Sequence, residues 1–175
     1  MRSLAAIAVA LIAGTLTASP ASAETRSFRD DDRAGGPTGV TSFRVQNGPN
    51  ALTVDIRHAR RLKTDDLWID SRGGDPGPEY RVRLIANSDY DKPLRRVETF
   101  HTGNGRPWPC QGTTLHSDDF EPGAVSHIRI PQDCISGAGR VRVHVDSYGN
   151  GTGRDHAPNR GAYGAGYWTP WVRQR

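Results

Sequence analysis

Sulfur is scarce in this chain, and so is lysine. Its 175 residues contain two cysteines and one methionine, and Lys63 and Lys92 are the only lysines. Two cysteines cannot build the many cross-links of a disulfide-dense miniprotein, nor the four-thiolate set of a structural zinc site. After the first 23 residues no stretch is apolar for long enough to suggest a helical membrane span. No window of a dozen residues carries a convincing helical stripe, which argues against a bundle. Hydrolase signatures are missing too: there is no G-x-S-x-G elbow and no H-E-x-x-H pair. Gly149-Asn150-Gly151-Thr152-Gly153 is not a phosphate loop, because no Lys-Ser/Thr follows it. A formal net charge of +4 falls far short of the dense basic surface of a nucleic-acid binder, so no nucleic acid is expected as a partner.

What is present begins with export. Arg2, the apolar run from Leu4 to Leu16 and the small residues Ala21-Ser22-Ala23 have the layout of a secretory signal peptide over residues 1–23, with Glu24 as the mature N-terminus. About 150 residues then remain, enough for one domain with its own core. No cysteine near the cleavage point offers a lipid attachment site, so the expected product is a secreted, extracellular protein without a membrane anchor. In an oxidising exterior Cys110 and Cys134 are expected to pair, closing a loop of roughly 25 residues and constraining the unfolded chain by about 3.5 kcal/mol.

Residues 24–38 are charged and punctuated by Gly and Pro, with Phe28 as their only large apolar group, and read as a flexible lead-in. From Val40 the pattern changes to period two. Leu52, Val54 and Ile56 alternate with Thr53, Asp55 and Arg57, and Asn47-Gly48-Pro49-Asn50 before them is a hairpin signal. The alternation recurs at Tyr80–Leu84, Ser126–Ile130 and Arg140–Asp146, with further strands expected at Leu67–Asp70, Leu94–Phe100, Cys110–Leu115 and Tyr167–Val172. Ala59–Leu67 and Asp133–Gly137 are short enough for a single helical turn each. Many short strands separated by turn residues predict an all-β single domain over residues 39–175, an antiparallel β-sandwich of immunoglobulin-like or jelly-roll topology. Tyr148–Gly166 reads as a long Gly-rich loop.

Three stretches carry a resemblance. They are Leu67-Trp68-Ile69-Asp70 with Gly77-Pro78-Glu79-Tyr80-Arg81-Val82, Ile130-Pro131-Gln132-Asp133-Cys134-Ile135 with Val141-Arg142-Val143, and the ending Trp168-Thr169-Pro170-Trp171-Val172. In these the chain resembles a family of small secreted actinobacterial β-proteins, and the preference for arginine over lysine suits a GC-rich coding sequence of that kind. The resemblance implies a fold and a compartment but no activity, cofactor or catalytic residue.

Candidate sites follow from residue chemistry. Asn87-x-Asp89-x-Asp91 with Glu98 resembles the ligand spacing of a calcium loop, but Lys92 stands where such a loop needs glycine and Pro93 follows, so a polar turn is expected instead. Six histidines with Asp70, Glu79 and Asp118 supply acid–base chemistry without a spacing that joins them; His101 and His116 belong to this inventory. His127 and His144 fall on the outward register of their strands and read as solvated, and Asp65-Asp66 read as turn residues. Trp68, Trp108, Trp168, Trp171 and Tyr167 form the aromatic set from which a sugar-stacking site could be built, although the first expectation for Trp68 and one C-terminal tryptophan is that they fill the sandwich interior. The expected function is an extracellular or cell-envelope binding module, with cell-wall glycan or an extracellular protein as partner. The alternative is a small extracellular hydrolase using an Asp/Glu pair such as Asp70 and Glu79.

Overall fold

A computed structural model of the chain describes residues 23–30, 39–60, 63–74, 77–86, 94–100, 105–117, 122–149, 154–158 and 168–175. Residues 1–22, which carry most of the expected signal peptide, lie outside this set. Two antiparallel sheets face one another. The first runs, in spatial order, β1 (Glu24–Arg29), β2 (Val40–Asn47), β3 (Ala51–His58), β9 (Val125–Pro131) and β8 (Thr114–Ser117). The second runs β11 (Arg154–Ala157), β10 (Arg140–Tyr148), β4 (Thr64–Asp70), β5 (Tyr80–Ile85), β6 (Arg95–Arg96) and β7 (Arg106–Pro107), with β12 (Val172–Arg173) pairing at the start of β10. Among the described residues there is no α-helix, and the chain is all-β.

The strand order decides between the two topologies left open by the sequence. Strands β2-β3-β9-β8 stand in the A-B-E-D order, and β11-β10-β4-β5 stand in the G-F-C-C′ order, of an immunoglobulin-like sandwich. Strand β1 extends the first sheet beyond A, and β6 and β7 extend the second beyond C′. Between the sheets lie Phe43, Val45, Leu52, Val54, Ile56, Ile128 and Ile130 from one side and Leu67, Ile69, Val82, Leu84, Val141, Val143 and Val145 from the other. Each such side chain removed from water contributes about 1.5–3 kcal/mol, which is why period-two alternation was so legible a signal. The hairpin read at Asn47–Asn50 is present: Asn47 stands opposite Leu52, and Gly48 N–H donates to Ala51 O at 3.0 Å. Cys110 and Cys134 form the expected disulfide.

Several local expectations are corrected. Glu24–Arg29 is a strand rather than a lead-in, because all six residues pair with β2 and the Phe28 ring stacks on Phe43 at 5.1 Å; composition alone did not reveal that a ladder partner was available. Residues 31–38 lie outside the described set. Leu94–Phe100 supplies only the two-residue β6, and the C-terminal strand is β12 alone. Of Ala59–Leu67, where a helical turn was expected, Thr64 onward is strand β4 and residues 61–62 lie outside the described set. Gln132–Ile135 is a 3-10 turn, ended by Ser136 in the left-handed region at φ 59°.

The largest departure concerns the outer face of the second sheet, expected to be wet. Trp68 on β4, Val97 and Trp168 form a second buried cluster there, with Phe100 packed against it. The C-terminal segment is clamped in place by Thr169, whose N–H donates to Val143 O while its Oγ1 accepts from Val143 N–H, both at 3.0 Å. Strands β4 and β10 are therefore buried on both faces.

Candidate functional site

The outward-facing residues of four adjacent strands meet in this covered layer. From β4 come Asp66, Trp68 and Asp70; from β10, Arg142, His144 and Asp146; from β5, Arg81 and Arg83; from β11, Arg154 and His156. Alternation puts them on one face because every second side chain of a strand points the same way. The three stretches that carry the sequence resemblance contribute Trp68, Asp70, Arg81, Arg142, Trp168 and Trp171 to this one region.

Each buried carboxylate in the layer is met by cations or N–H donors. Asp66 accepts a two-pronged pair from Arg83, at 2.7 Å from Nε and 2.6 Å from Nη2, and a third bond from Arg81 Nε at 3.1 Å. Asp70 Oδ2 accepts from Arg142, with Nε at 2.6 Å and Nη2 at 2.5 Å. Asp146 is the most heavily engaged. Its Oδ2 accepts from Trp68 Nε1–H at 2.7 Å and from Arg154, while its Oδ1 faces His144 Nε2 at 2.9 Å and His156 Nδ1 at 2.6 Å. Burial alone would raise the Asp146 pKa, but the bonds from His144, His156 and Arg154 outweigh it and hold the carboxyl far below its ordinary range.

Arginines also cover the aromatic rings. Arg81 lies 5.1 Å from the Trp68 ring centre, Arg96 5.3 Å from Trp108, Arg142 5.2 Å from Trp168, and Arg140 4.6 Å from Trp171. Trp68 and Trp168 are 2% and 7% exposed, so a pyranose ring cannot stack on them. That corrects their assignment to a sugar platform; they fill the outer layer, rather than the space between the sheets. Trp108 and Trp171 are half-buried. Trp108 donates its indole N–H to Cys134 O at 3.0 Å, so the disulfide region fixes this ring. Tyr167 lies outside the described residues, as do Asn87, Asp89 and Asp91 of the calcium-like spacing.

Pockets open at opposite ends of β4 and β5. One, of about 370 Å³, is lined by Arg72, Pro78, Glu79, Arg96, Val97, Glu98, Gly105 and Arg106. Gly105 is required there: it sits at φ +59°, and a Cβ would fall 2.6 Å from Arg96 O and from Val97 Cγ1. Glu98, the last member of the calcium-like spacing, lines this pocket, exposed, beside the buried Glu79. Glu79 Oε2 accepts from Ser71 N–H at 2.6 Å and from Ser71 Oγ at 3.0 Å. Burial raises its pKa, the Ser71 amide opposes that, and the charge of Asp70 adds to it. The second pocket, of about 330 Å³, is lined by Lys63, Thr64, Arg83, Tyr148 and Gly149.

A serine, a histidine and an aspartate do meet inside the sandwich, but not as a catalytic relay. Ser126 Oγ and His58 Nε2 lie 2.7 Å and 3.1 Å from the same oxygen of Asp65, and all three side chains are fully buried. A relay needs the imidazole between the other two, using both nitrogens, and a substrate path. Here His58 Nδ1 has no partner. Asp65-Asp66, read as turn residues, are thus buried strand residues of β4, Asp65 facing the interior of the sandwich and Asp66 the outer layer. His127 matches its solvated reading, half-exposed and 2.8 Å from Asp55. His144, read the same way, is fully buried. The signal missed was the spacing His144-x-Asp146, which places both side chains on one face of β10 and is informative only once that face is known to be roofed. Asp118 and His101 lie outside the described residues, and His116 is exposed on β8 beside His127.

No protein-family model, curated protein or solved structure matches this chain.

Proposed function

We propose that the protein is a secreted binding module that recognises anionic groups of an extracellular or cell-envelope glycan. The observation that carries this reading is the pocket between β4 and β7, where Arg72, Arg96 and Arg106 stand against Glu79 and Glu98. Planar guanidinium groups take carboxylates and phosphates in two-pronged fashion, and a volume of this size suits one sugar residue or a short peptide stem. Arg96 is braced from behind by the half-buried Trp108, whose ring centre lies 5.3 Å from the guanidinium and whose indole N–H is held by Cys134 O. The immunoglobulin-like frame suits such a role because rigid sheets present sites at their ends. The resemblance to secreted actinobacterial β-proteins supports the compartment.

The test is depletion of the purified, oxidised chain from solution by insoluble peptidoglycan, with an uncharged insoluble glucan as the comparison. Binding is expected for the acidic matrix only. Replacing Arg96 and Arg106 together by Ala should weaken it at least tenfold, since each charge-assisted bond contributes about 1.5–3 kcal/mol and 1.4 kcal/mol is tenfold. Equal depletion by both matrices, or an undiminished double variant, would overturn the reading.

A second reading, hydrolysis of the bound glycan, has one observation in its favour. Glu79 is buried with a raised pKa and Glu98 is exposed in the same pocket, and two carboxylates in unlike environments are what acid–base glycoside cleavage needs. Soluble sugar appearing in the supernatant, and lost in Glu98→Gln, would favour it.

A further inference from the structure

We propose that His144, Asp146 and His156 form a three-ligand site for a first-row divalent cation such as Zn2+. The proposal is independent of the arginine-lined pocket. Strands β10 and β11 pair with Asp146 opposite His156, and His144 stands two residues before Asp146 on the same face. Backbone register alone therefore brings the three side chains together. One ligand atom from each, the two imidazole nitrogens and a carboxylate oxygen, lies within 4.8 Å of the others. Donors bound to one Zn2+ at about 2.0–2.2 Å stand roughly 3–3.5 Å apart, so small rotations of the two rings about their χ angles would admit the ion. The rings are already close to parallel, with centres 5.8 Å apart and planes inclined by 25°.

The surroundings have the character of a metal site's outer shell. Trp68 Nε1–H and Arg154 hold Oδ2 of Asp146, which fixes the carboxylate plane and turns Oδ1 toward both imidazoles. Phe100 packs edge-on against His144, with centres 5.6 Å apart, and Trp168 lies against Phe100, so apolar rings wall the inner side. His156 and Arg154 keep 28% and 24% of their side chains exposed, which gives a cation a way in from the β11 edge.

Without an ion, Oδ1 faces two ring N–H donors. An ion replaces both at once, each neutral imidazole carrying its proton on the other nitrogen. Two imidazoles and one carboxylate suit Zn2+, and also Fe2+, Ni2+ and Cu2+, and they leave at least one coordination position for water or an anion beside Arg154.

The experiment is metal uptake by the purified chain after dialysis against a chelator, measured by calorimetric titration with Zn2+ and by counting bound metal after gel filtration. One equivalent is expected, with visible ligand-field absorption when Co2+ replaces Zn2+. His156→Ala, on an edge strand and partly exposed, should weaken uptake at least tenfold, and His156→Gln should match it. The exposed pair His116 and His127, stacked 6.3 Å apart on β8 and β9, is the control, and replacing both by Ala should leave uptake unchanged. Failure to bind a stoichiometric ion would overturn the proposal. So would binding that survives His156→Ala and disappears with the His116/His127 pair.

Discussion

Asp66 is the sharpest probe of the covered outer layer, and its replacement by Asn is predicted to cost about 3 kcal/mol of stability. The carboxylate is 1% exposed and carries two arginines. Bond geometry and burial point to different partners. Arg83 makes the shorter, two-pronged contact but has 37% of its side chain exposed, whereas Arg81 makes one longer bond at 3.1 Å and is 7% exposed. When the charge on Asp66 is removed, Arg83 can turn to water and recover most of its solvation. Arg81 cannot, because it is buried against the ring of its cross-strand neighbour Trp68. Breaking a buried ion pair by removing one partner costs about 3–5 kcal/mol, chiefly for the stranded charge, and the exposed second partner argues for the lower end. For a domain of this size that is a fall in Tm of roughly 6–12 °C. The same reasoning makes Arg81→Met in the Asp66→Asn background recover part of the loss, with a coupling of about 2 kcal/mol, while Arg83→Met in that background recovers little. Urea unfolding of the wild type, the three single variants and the two doubles measures this directly. If Asp66 and Arg81 prove additive, or if the larger coupling lies with Arg83, bond geometry outweighs burial here and the argument fails.

Two further predictions concern the rest of the domain. Replacing Cys110 and Cys134 by Ser should cost about 3.5 kcal/mol by the loop-closure argument for their sequence separation of 24, checked by comparing urea midpoints with the oxidised chain; a change below about 1 kcal/mol would show that the reduced, unfolded chain keeps that loop compact. Glu79→Gln tests the pH dependence. A carboxyl whose folded pKa is raised binds its proton more tightly when folded, so its contribution is complete below the ordinary value of about 4.3 and is lost as pH rises through the folded value. The Gln variant, which can still accept from Ser71, should therefore gain on the wild type as pH rises from about 4 to neutrality. A stability difference that does not change with pH would refute this.

Much of the fold was legible because its cause is local. Alternation at Leu52–Ile56, Tyr80–Leu84, Ser126–Ile130 and Arg140–Asp146 reflects a strand with one side against a core, and a side chain's need to leave water is written at each position. The hairpin at Asn47–Asn50 and the pairing of Cys110 with Cys134 were legible too, since turn chemistry is local and two cysteines leave a single pairing within the chain. Strand β1 was not, because a segment of charged and small residues with the single large apolar group Phe28 becomes a strand only when β2 offers it an edge. The candidate sites were harder still. Trp68 and Trp168 look alike as ligand platform or filler until the C-terminal segment is seen to fold back over β10. His144 has the register of a solvated residue and is buried because Trp168 and Phe100 roof it.

The amino-acid sequence by itself determined an all-β chain with one disulfide and a core drawn from alternating apolar residues, because burial of every second side chain is a property of each strand alone. Only the tertiary structure decided the immunoglobulin-like strand order, the two pockets, and the meeting of His144, Asp146 and His156. Those depend on which strands become neighbours and what covers them, and contacts between residues far apart in the chain leave no periodic mark in its sequence.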